Sequence, residues 1–395
     1  MVTAGALNEL GARLAGAAGP RPPPAYDGGI DPLPDDADAA LILHVKHQAL
    51  LRGYQARYVV LPDTAPGALL LEQLASHYGE DRLQALAAVR SALEAELIAP
   101  LQAAVATGDG DVPAYVDRLL PELRAAKADA FLEALAGIAH REDHYRNFLV
   151  QSSADLLAEA SASALGVIGE FGAPQSALFR ILIDEFGYGA HGHKHSVLYR
   201  ATMRSFGLDD RYNGYWRLFD TNTLALHNAI HWLFQNPRNI FRQVGFLLFA
   251  ETAYQRSTLF HARHLGRFHP QADARYFAEH AHIDLHHTQM VVDEVIAPFL
   301  DRFGPEVGRE IIAGAELTRA VFARNGAGQL ALLRAFEAAP SAIYGLRPHR
   351  GRLVTPTTPV DPAARVQVGA IGAVTGADFS YFPAGTTGRL ADVEG

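Results

Sequence analysis

The sequence contains no cysteine. That one absence removes disulfides, thiolate metal sites, iron–sulfur clusters and cysteine nucleophiles. Any bound metal must then take nitrogen and oxygen donors, a set that suits iron, manganese or zinc. No cluster of basic residues is present and the formal charge is −9, which argues against nucleic acid as a partner. The longest strongly apolar run, "VGFLLFA" at 244–250, is far too short to span a bilayer, so no membrane is expected. The opening "MVTAGALNELGARLAGAAG" lacks both a basic n-region and a long apolar segment. No secretory signal is read there, and the expected location is cytoplasmic. Convincing alternating strands are missing as well, and no internal repeat recurs at a fixed period.

What the sequence does have is helical periodicity. Its 395 residues, 49% of them hydrophobic, suffice for one large domain or two modest ones. Residues 1–38, Ala/Gly-rich and then Pro-rich ("GPRPPPAYDGGIDPLPDDAD"), read as a flexible arm. Residues 39–126 carry "LLLEQLASHYG" and "RLQALAAVRSALEAELIAPLQAAV", whose apolar residues recur three and four apart. This N-terminal helical region holds no chemical motif and reads as packing or a dimer contact. Long helical patterns continue over 127–345, interrupted at "GEFGAP", "GLDDRYNG", "QNPRN" and "RFHPQAD". Residues 346–395, rich in Gly, Val, Thr and Pro, read as an irregular tail. The predicted class is all-α, and a helix bundle can converge side chains from several helices on a buried metal site.

The densest chemistry lies in "FAEHAHIDLHHTQM", 277–290. On a helix, His280, Asp284 and His287 fall at i, i+4 and i+7 and share one face. Tyr276, Phe277 and Val291 extend that face with apolar residues, so it points into a core. His282 and His286 fall on the opposite, polar face with Arg275, Glu279, Gln289 and Asp293. Burying two histidines and an aspartate without partners costs several kcal/mol, on the order of 2–7 per group. A metal ion or a hydrogen-bond network would satisfy them, and the stretch alone leaves both readings open.

Three further carboxylate-bearing stretches could complete a shell. Glu251 closes the "VGFLLFA" run and sits either at the core or at a helix end reaching solvent. Glu185 and His195, in "DEFGYGAHGHKH", are ten residues apart, roughly 15 Å along a continuous helix and too far for one small site. Gly187, Gly189 and Gly192 would let the segment kink or unwind. The plainer reading is a helix end, a Gly-rich turn and a new helix carrying surface histidines. Glu159, in "SSADLLAEASASALG", is a lone glutamate in an apolar, small-residue helix. His227 and His231 stand at i, i+4 in "LALHNAIHWLF" but bring no partner set, so they read as packing residues or neighbours of ligands. Trp216 and Trp232 read as core aromatics.

Taken in order, the motifs resemble a known family. A glutamate on one helix is followed by "DEFGYG" with a histidine ten residues after its glutamate, "SVLYRATMRSFGLDDRY", a glutamate after "GFLLFA", and "HxxxDxxH". "HREDHYRNFLVQSS" and "NPRNIFRQVGFLLFAE" add to the likeness. The set resembles the heme-oxygenase-like diiron oxidases and oxygenases, especially the bacterial iron-containing redox enzymes, over roughly 128–344. The resemblance implies a heme-oxygenase-like helical bundle, here with an added N-terminal helical region. It implies two Fe(II)/Fe(III) ions held by Glu159, Glu185, His195, His280, Asp284 and His287, with Glu251 as a further carboxylate. It also implies that the helix bearing Glu185 and His195 is labile and orders with metal. Phe186 replaces the family's usual tyrosine, and His191 or His193 could stand in for His195.

The same resemblance implies an O2-activating oxidoreductase that takes electrons from an external donor such as a reductase or ferredoxin. Four candidate carboxylates favour N-oxygenation of a small amine or amino-acid-derived substrate in specialised metabolism, by way of a peroxo-diferric intermediate. The alternatives are oxidative C–C cleavage or desaturation of a fatty or amino acid, with Arg238 and Arg242 as carboxylate clamps, and a non-enzymatic helical metal-binding protein. A homodimer is the expected assembly, and a small-molecule substrate the expected ligand.

Overall fold

Apolar residues at helical spacing become helices along the chain. A computed structural model describes residues 1–16, 30, 33, 35, 37–61, 67–105, 109–138, 141–338, 344–348 and 379–383. Eight helices frame the interior of the molecule: α1 (Ala39–Gln55), α2 (Arg141–Leu156), α3 (Ala173–Glu185), α4 (His195–Ser205), α5 (Thr221–Gln235), α6 (Ile240–Phe268), α7 (Arg275–Met290) and α8 (Pro305–Ala338). Shorter helices connect them. Asp38 and Asp220 cap α1 and α5 by accepting from backbone N–H groups of the first turn. The expected all-α class holds.

The core forms two apolar clusters. Leu50, Leu178, Ile230, Leu248 and Ile311 belong to one, drawn from α1, α3, α5, α6 and α8. Tyr145, Tyr199 and Phe219 belong to the other, with Tyr276 and Phe277 from the start of α7. Beyond Met290, α7 runs into a π-turn, Val291–Ile296, whose Val291 and Val295 join the first cluster. The helix is thus anchored at both ends in different apolar clusters. His280, Asp284 and His287 occupy the stretch between the anchors.

The longest helices, α6 and α8, cross backbone to backbone. A Cβ on Gly245 would lie 1.9 Å from the Ile311 carbonyl oxygen, and one on Gly314 would lie 2.0 Å from the Arg242 carbonyl oxygen. Only glycine permits that approach. It fixes the height of α6, and with it Glu251, less than two turns further on.

Two parts of the chain differ from their expectation. Within the expected arm, Ala4–Gly16 is a helix with Leu7, Leu10 and Leu14 buried. Its apolar stripe outweighs an Ala/Gly-rich composition; most of the remaining arm lies outside the described residues. In the expected irregular tail, Tyr344–Pro348 pairs antiparallel with Phe379–Pro383. Five-residue strands are too short for alternation to announce them, and the other tail residues from 349 on lie outside the described residues. Helix α1 is buried from His44 to Gln55 and packs against α5. Among the described residues, no helix is long and apolar enough to cross a membrane.

The α1–α5 contact holds buried histidines outside the donor groups to which α7 contributes. Burial lowers the pKa of His227 from 6.5 to about 3, with neighbouring His231 adding to the effect. The folded pKa is below the unfolded one, so the unfolded chain binds the proton first. Stability from this residue is therefore complete above pH 6.5 and declines as pH falls toward 3. In urea titrations the stability gap between the wild type and His227→Gln should narrow by about 2 kcal/mol between pH 7.5 and pH 5. A gap constant with pH would show that His227 is not held neutral.

Candidate metal centre

Two groups of donor atoms converge inside the bundle, each with its atoms within 4.8 Å of one another. One consists of Glu159, Glu185, His195 and His280; the other of Glu185, Asp284 and His287. Ligands about 2.0–2.2 Å from a common ion lie at most about 4.4 Å apart, so donors gathered within 4.8 Å need only small side-chain shifts to share one. Six of the seven residues singled out in the sequence stand in these groups. The seventh, Glu251, places Oε2 3.2 Å from His287 Nδ1.

The contribution of α7 follows from its periodicity. Its three inward residues are 5%, 0% and 0% exposed, whereas His282 and His286 are exposed. His280 Nδ1 lies 3.1 Å from Asp284 Oδ1. The two ring nitrogens of His287 each meet a carboxylate, Nδ1 at Glu251 and Nε2 at Asp184 Oδ2, 3.2 Å away. If Nδ1 faces the metal, Asp184 accepts from Nε2–H and fixes the ring.

Glu185 and His195 meet because the helix does not continue. Helix α3 stops at Glu185, and Gly187, Tyr188 and Gly189 come next with φ of 71°, 56° and 79°. Two short 3₁₀ turns bring the chain back, and α4 opens at His195. His195 Nδ1 is then 2.8 Å from Glu185 Oε2. The helix-turn-helix reading was right about the backbone and wrong about its consequence, since the turn itself delivers the histidine. His191 and His193 are exposed on the turn, while His195 is 1% exposed. Glu159 also departs from expectation. It lies in a turn between α2 and the short helix Ser161–Gly166, just before Ala160 at φ 62°. Tyr276 donates to its Oε1 at 2.7 Å, and His280 Nε2 lies 3.3 Å from the same atom.

Hydrogen bonds do not exhaust these donors. Glu159 Oε2, Glu185 Oε2, His195 Nδ1, His280 Nε2 and Asp284 Oδ2 are buried without a hydrogen-bonding partner. Glu185 and His195 are close but misaligned for a hydrogen bond, as expected of lone pairs directed at a shared third point. Burial disfavours charge on Glu185, yet His280 and His195 outweigh it and hold its pKa at about 2. Burial likewise opposes charge on His287, but Glu251 overrides it and lifts the pKa to about 9. Burial pushes Asp284 up to about 7, against the pull of His280. Four carboxylates facing three histidines make a centre that demands positive charge, and the donor set fits iron.

A cavity of about 80 Å³ lies beside these donors. Leucine, isoleucine and phenylalanine side chains of α3, α5 and α6 form much of its wall; Glu159, Glu185, Glu251 and His280 line its polar side. Among the described residues, no lysine or arginine lines it. Arg238 is exposed, and Arg242 is bound to Glu310 and Gln102. His227 and His231 belong to neither donor group, and Trp216 and Trp232 are buried core residues. Sequence reasoning missed Asp184 and Asp155. Asp184 is Glu185's neighbour in "DEFGYG", and Asp155 precedes Glu159 by four residues, so both signals were present.

A family model described as "Iron-containing redox enzyme" matches residues 146–323. A nitrosourea synthase of Streptomyces achromogenes subsp. streptozoticus is 38% identical over 205 residues, 51% of this chain and 43% of that protein. The chain therefore spans less than half the length of that relative. The crystal structure of a domain of unknown function with a heme oxygenase-like fold from Shewanella denitrificans aligns at 18% identity and TM-score 0.44. The alignment covers 57% of this chain and 94% of that one. The matched segment, 146 to 323, holds α3 to α7 and all seven sequence-predicted donors, and over that length the chain is similar to the iron-containing redox enzymes.

Proposed function

We propose that the protein is a non-heme diiron oxygenase that N-oxygenates a small amine or amino-acid-derived substrate. One observation carries the reading: two donor groups share Glu185 beside a cavity lined by carboxylates and, among the described residues, by no lysine or arginine. Glu185 stands in both groups and would help to hold both ions. Two iron ions held there would supply the redox chemistry that activates O2. Glu159, His195 and His280 would hold one, and Asp284, His287 and Glu251 the other.

The protein's own groups orient and exclude. Tyr276 holds Glu159 through its hydroxyl, and Asp184 holds the His287 ring. Apolar walls keep bulk water from the reacting nitrogen. One turnover, RNH2 + O2 + 2 e⁻ + 2 H⁺ giving RNHOH + H2O, needs two electrons from outside, so a reductase or ferredoxin is part of the proposal. The related nitrosourea synthase is named for a product whose nitroso nitrogen is oxidised, which supports nitrogen as the target. A fatty-acid substrate finds no cationic clamp in the cavity, because Arg238 and Arg242 are elsewhere.

The test is anaerobic loading with Fe(II), iron counting, and exposure to ¹⁸O2 with a panel of amines and amino acids. Two irons per chain and ¹⁸O-labelled hydroxylamines are expected. One iron or fewer, or only alkenes and desaturated products, would overturn the reading.

A further inference from the structure

The carboxylate of Asp155 has no assigned task. It belongs to neither donor group, yet it lines the cavity together with Glu159, Glu185 and Glu251. Its residue stays partly accessible because the cavity reaches it, although it is deep inside the protein. Among the described residues, no hydrogen bond or ion pair engages its carboxyl group. The charges acting on it are the carboxylates of Glu159 and Glu185, with no cation among them. A carboxylate deep in a protein without a cation is costly, and a natural way to offset the cost is a positive charge that arrives with a ligand.

The surroundings narrow that ligand. Leu178, Ile181 and Phe246 give the cavity an apolar wall, and among the described residues no lysine or arginine lines it to compete for Asp155. A free carboxylate placed at that end of the cavity would meet the like charge of Asp155. A bare inorganic cation would leave the apolar wall uncovered. A molecule with a positive head and an apolar chain satisfies both sides.

We infer that Asp155 is a positioning and specificity residue, the anchor for the charged end of an organic cation, an alkylammonium or guanidinium bearing an apolar chain. This deepens the proposed function and rests on its reading of the cavity as the substrate site. Burial, with Glu159 and Glu185, lifts the carboxyl pKa to about 7, which is consistent with a group that ionises fully only beside a cation.

The experiment uses full-length protein loaded with zinc, which holds the donor groups without redox chemistry. Binding of n-butylammonium and of n-butyrate is measured by calorimetry for the wild type, Asp155→Asn and Asp155→Glu. The wild type should bind butylammonium at least tenfold more tightly than butyrate. Asp155→Asn should lose at least tenfold in butylammonium affinity with unchanged zinc content, and Asp155→Glu should recover part of it. Equal binding of the two probes, no binding of butylammonium by the wild type, or undiminished affinity in Asp155→Asn would each overturn the inference. Turnover of the iron-loaded protein is scored separately. Asp155-dependent binding without any hydroxylamine would sink the N-oxygenase reading and leave the anchor standing. Hydroxylamine formed by Asp155→Asn at the wild-type KM would do the reverse.

Discussion

Asp284→Ala should leave a folded protein that holds at most one iron per chain and turns over at least about a hundredfold more slowly. The expected size comes from the role. Removing a partner that merely orients a ligand already costs about 10–100-fold in affinity or activity, and a ligand itself should cost more. Asp284 is fully buried, its Oδ1 lies beside His280, and its Oδ2 has no hydrogen-bonding partner. With alanine there, its group would retain only Glu185 and His287, with Glu251 nearby. Stability should respond differently. In the metal-free protein the same carboxylate is a buried group disfavoured by desolvation, so its removal offsets the small void left by truncation. Iron content by mass spectrometry, turnover, and the Tm of the metal-free form test these statements together. Turnover within twofold of wild type would refute the assignment of Asp284 as a ligand. Lost Tm with intact iron binding would make it a structural residue.

The site was legible where regular geometry carried it. On α7 the 3.6-residue repeat alone put His280, Asp284 and His287 on one face, because the flanking Tyr276, Phe277 and Val291 declared which face is buried. Glu251 was half legible. Its apolar run showed that the helix is buried, but its angle toward His287 depends on how α6 crosses α8 at Gly245 and Gly314. Glu185 with His195, and Glu159, could not be placed from periodicity, because each belongs to a break in a helix. There the chain direction depends on single φ values, and ten residues of sequence separation say nothing about separation in space. Asp155 and Asp184 were overlooked because a carboxylate near a ligand looks the same in sequence whether it faces solvent or a cavity. The N-terminal helix was masked by composition, since Ala and Gly obscured the spacing of Leu7, Leu10 and Leu14.

The break after α3 is also where a single methyl group should have its largest effect on iron. Gly187→Ala asks an L-residue to hold φ 71°, which costs about 1–3 kcal/mol. The new Cβ would also lie 2.3 Å from the Lys194 amide nitrogen and 2.4 Å from the His193 carbonyl carbon. Both are backbone atoms, so no side chain can swing aside. The turn must open, and opening it carries His195 away from Glu185, removing one donor and loosening another. Iron affinity should fall at least tenfold, read as the Fe(II) concentration needed for half-loading. The metal-free protein should keep most of its Tm, because the apolar residues Leu178, Ile181, Leu198 and Tyr199 remain packed on either side of the turn. Gly192→Ala is the matched control. It lies in the same turn, but a Cβ there meets nothing within 4 Å and its backbone is not left-handed. If Gly187→Ala bound iron as tightly as Gly192→Ala, the close approach at residue 187 could not be what presents His195 to the metal. The histidine would then reach the centre by flexibility of the turn rather than by its shape.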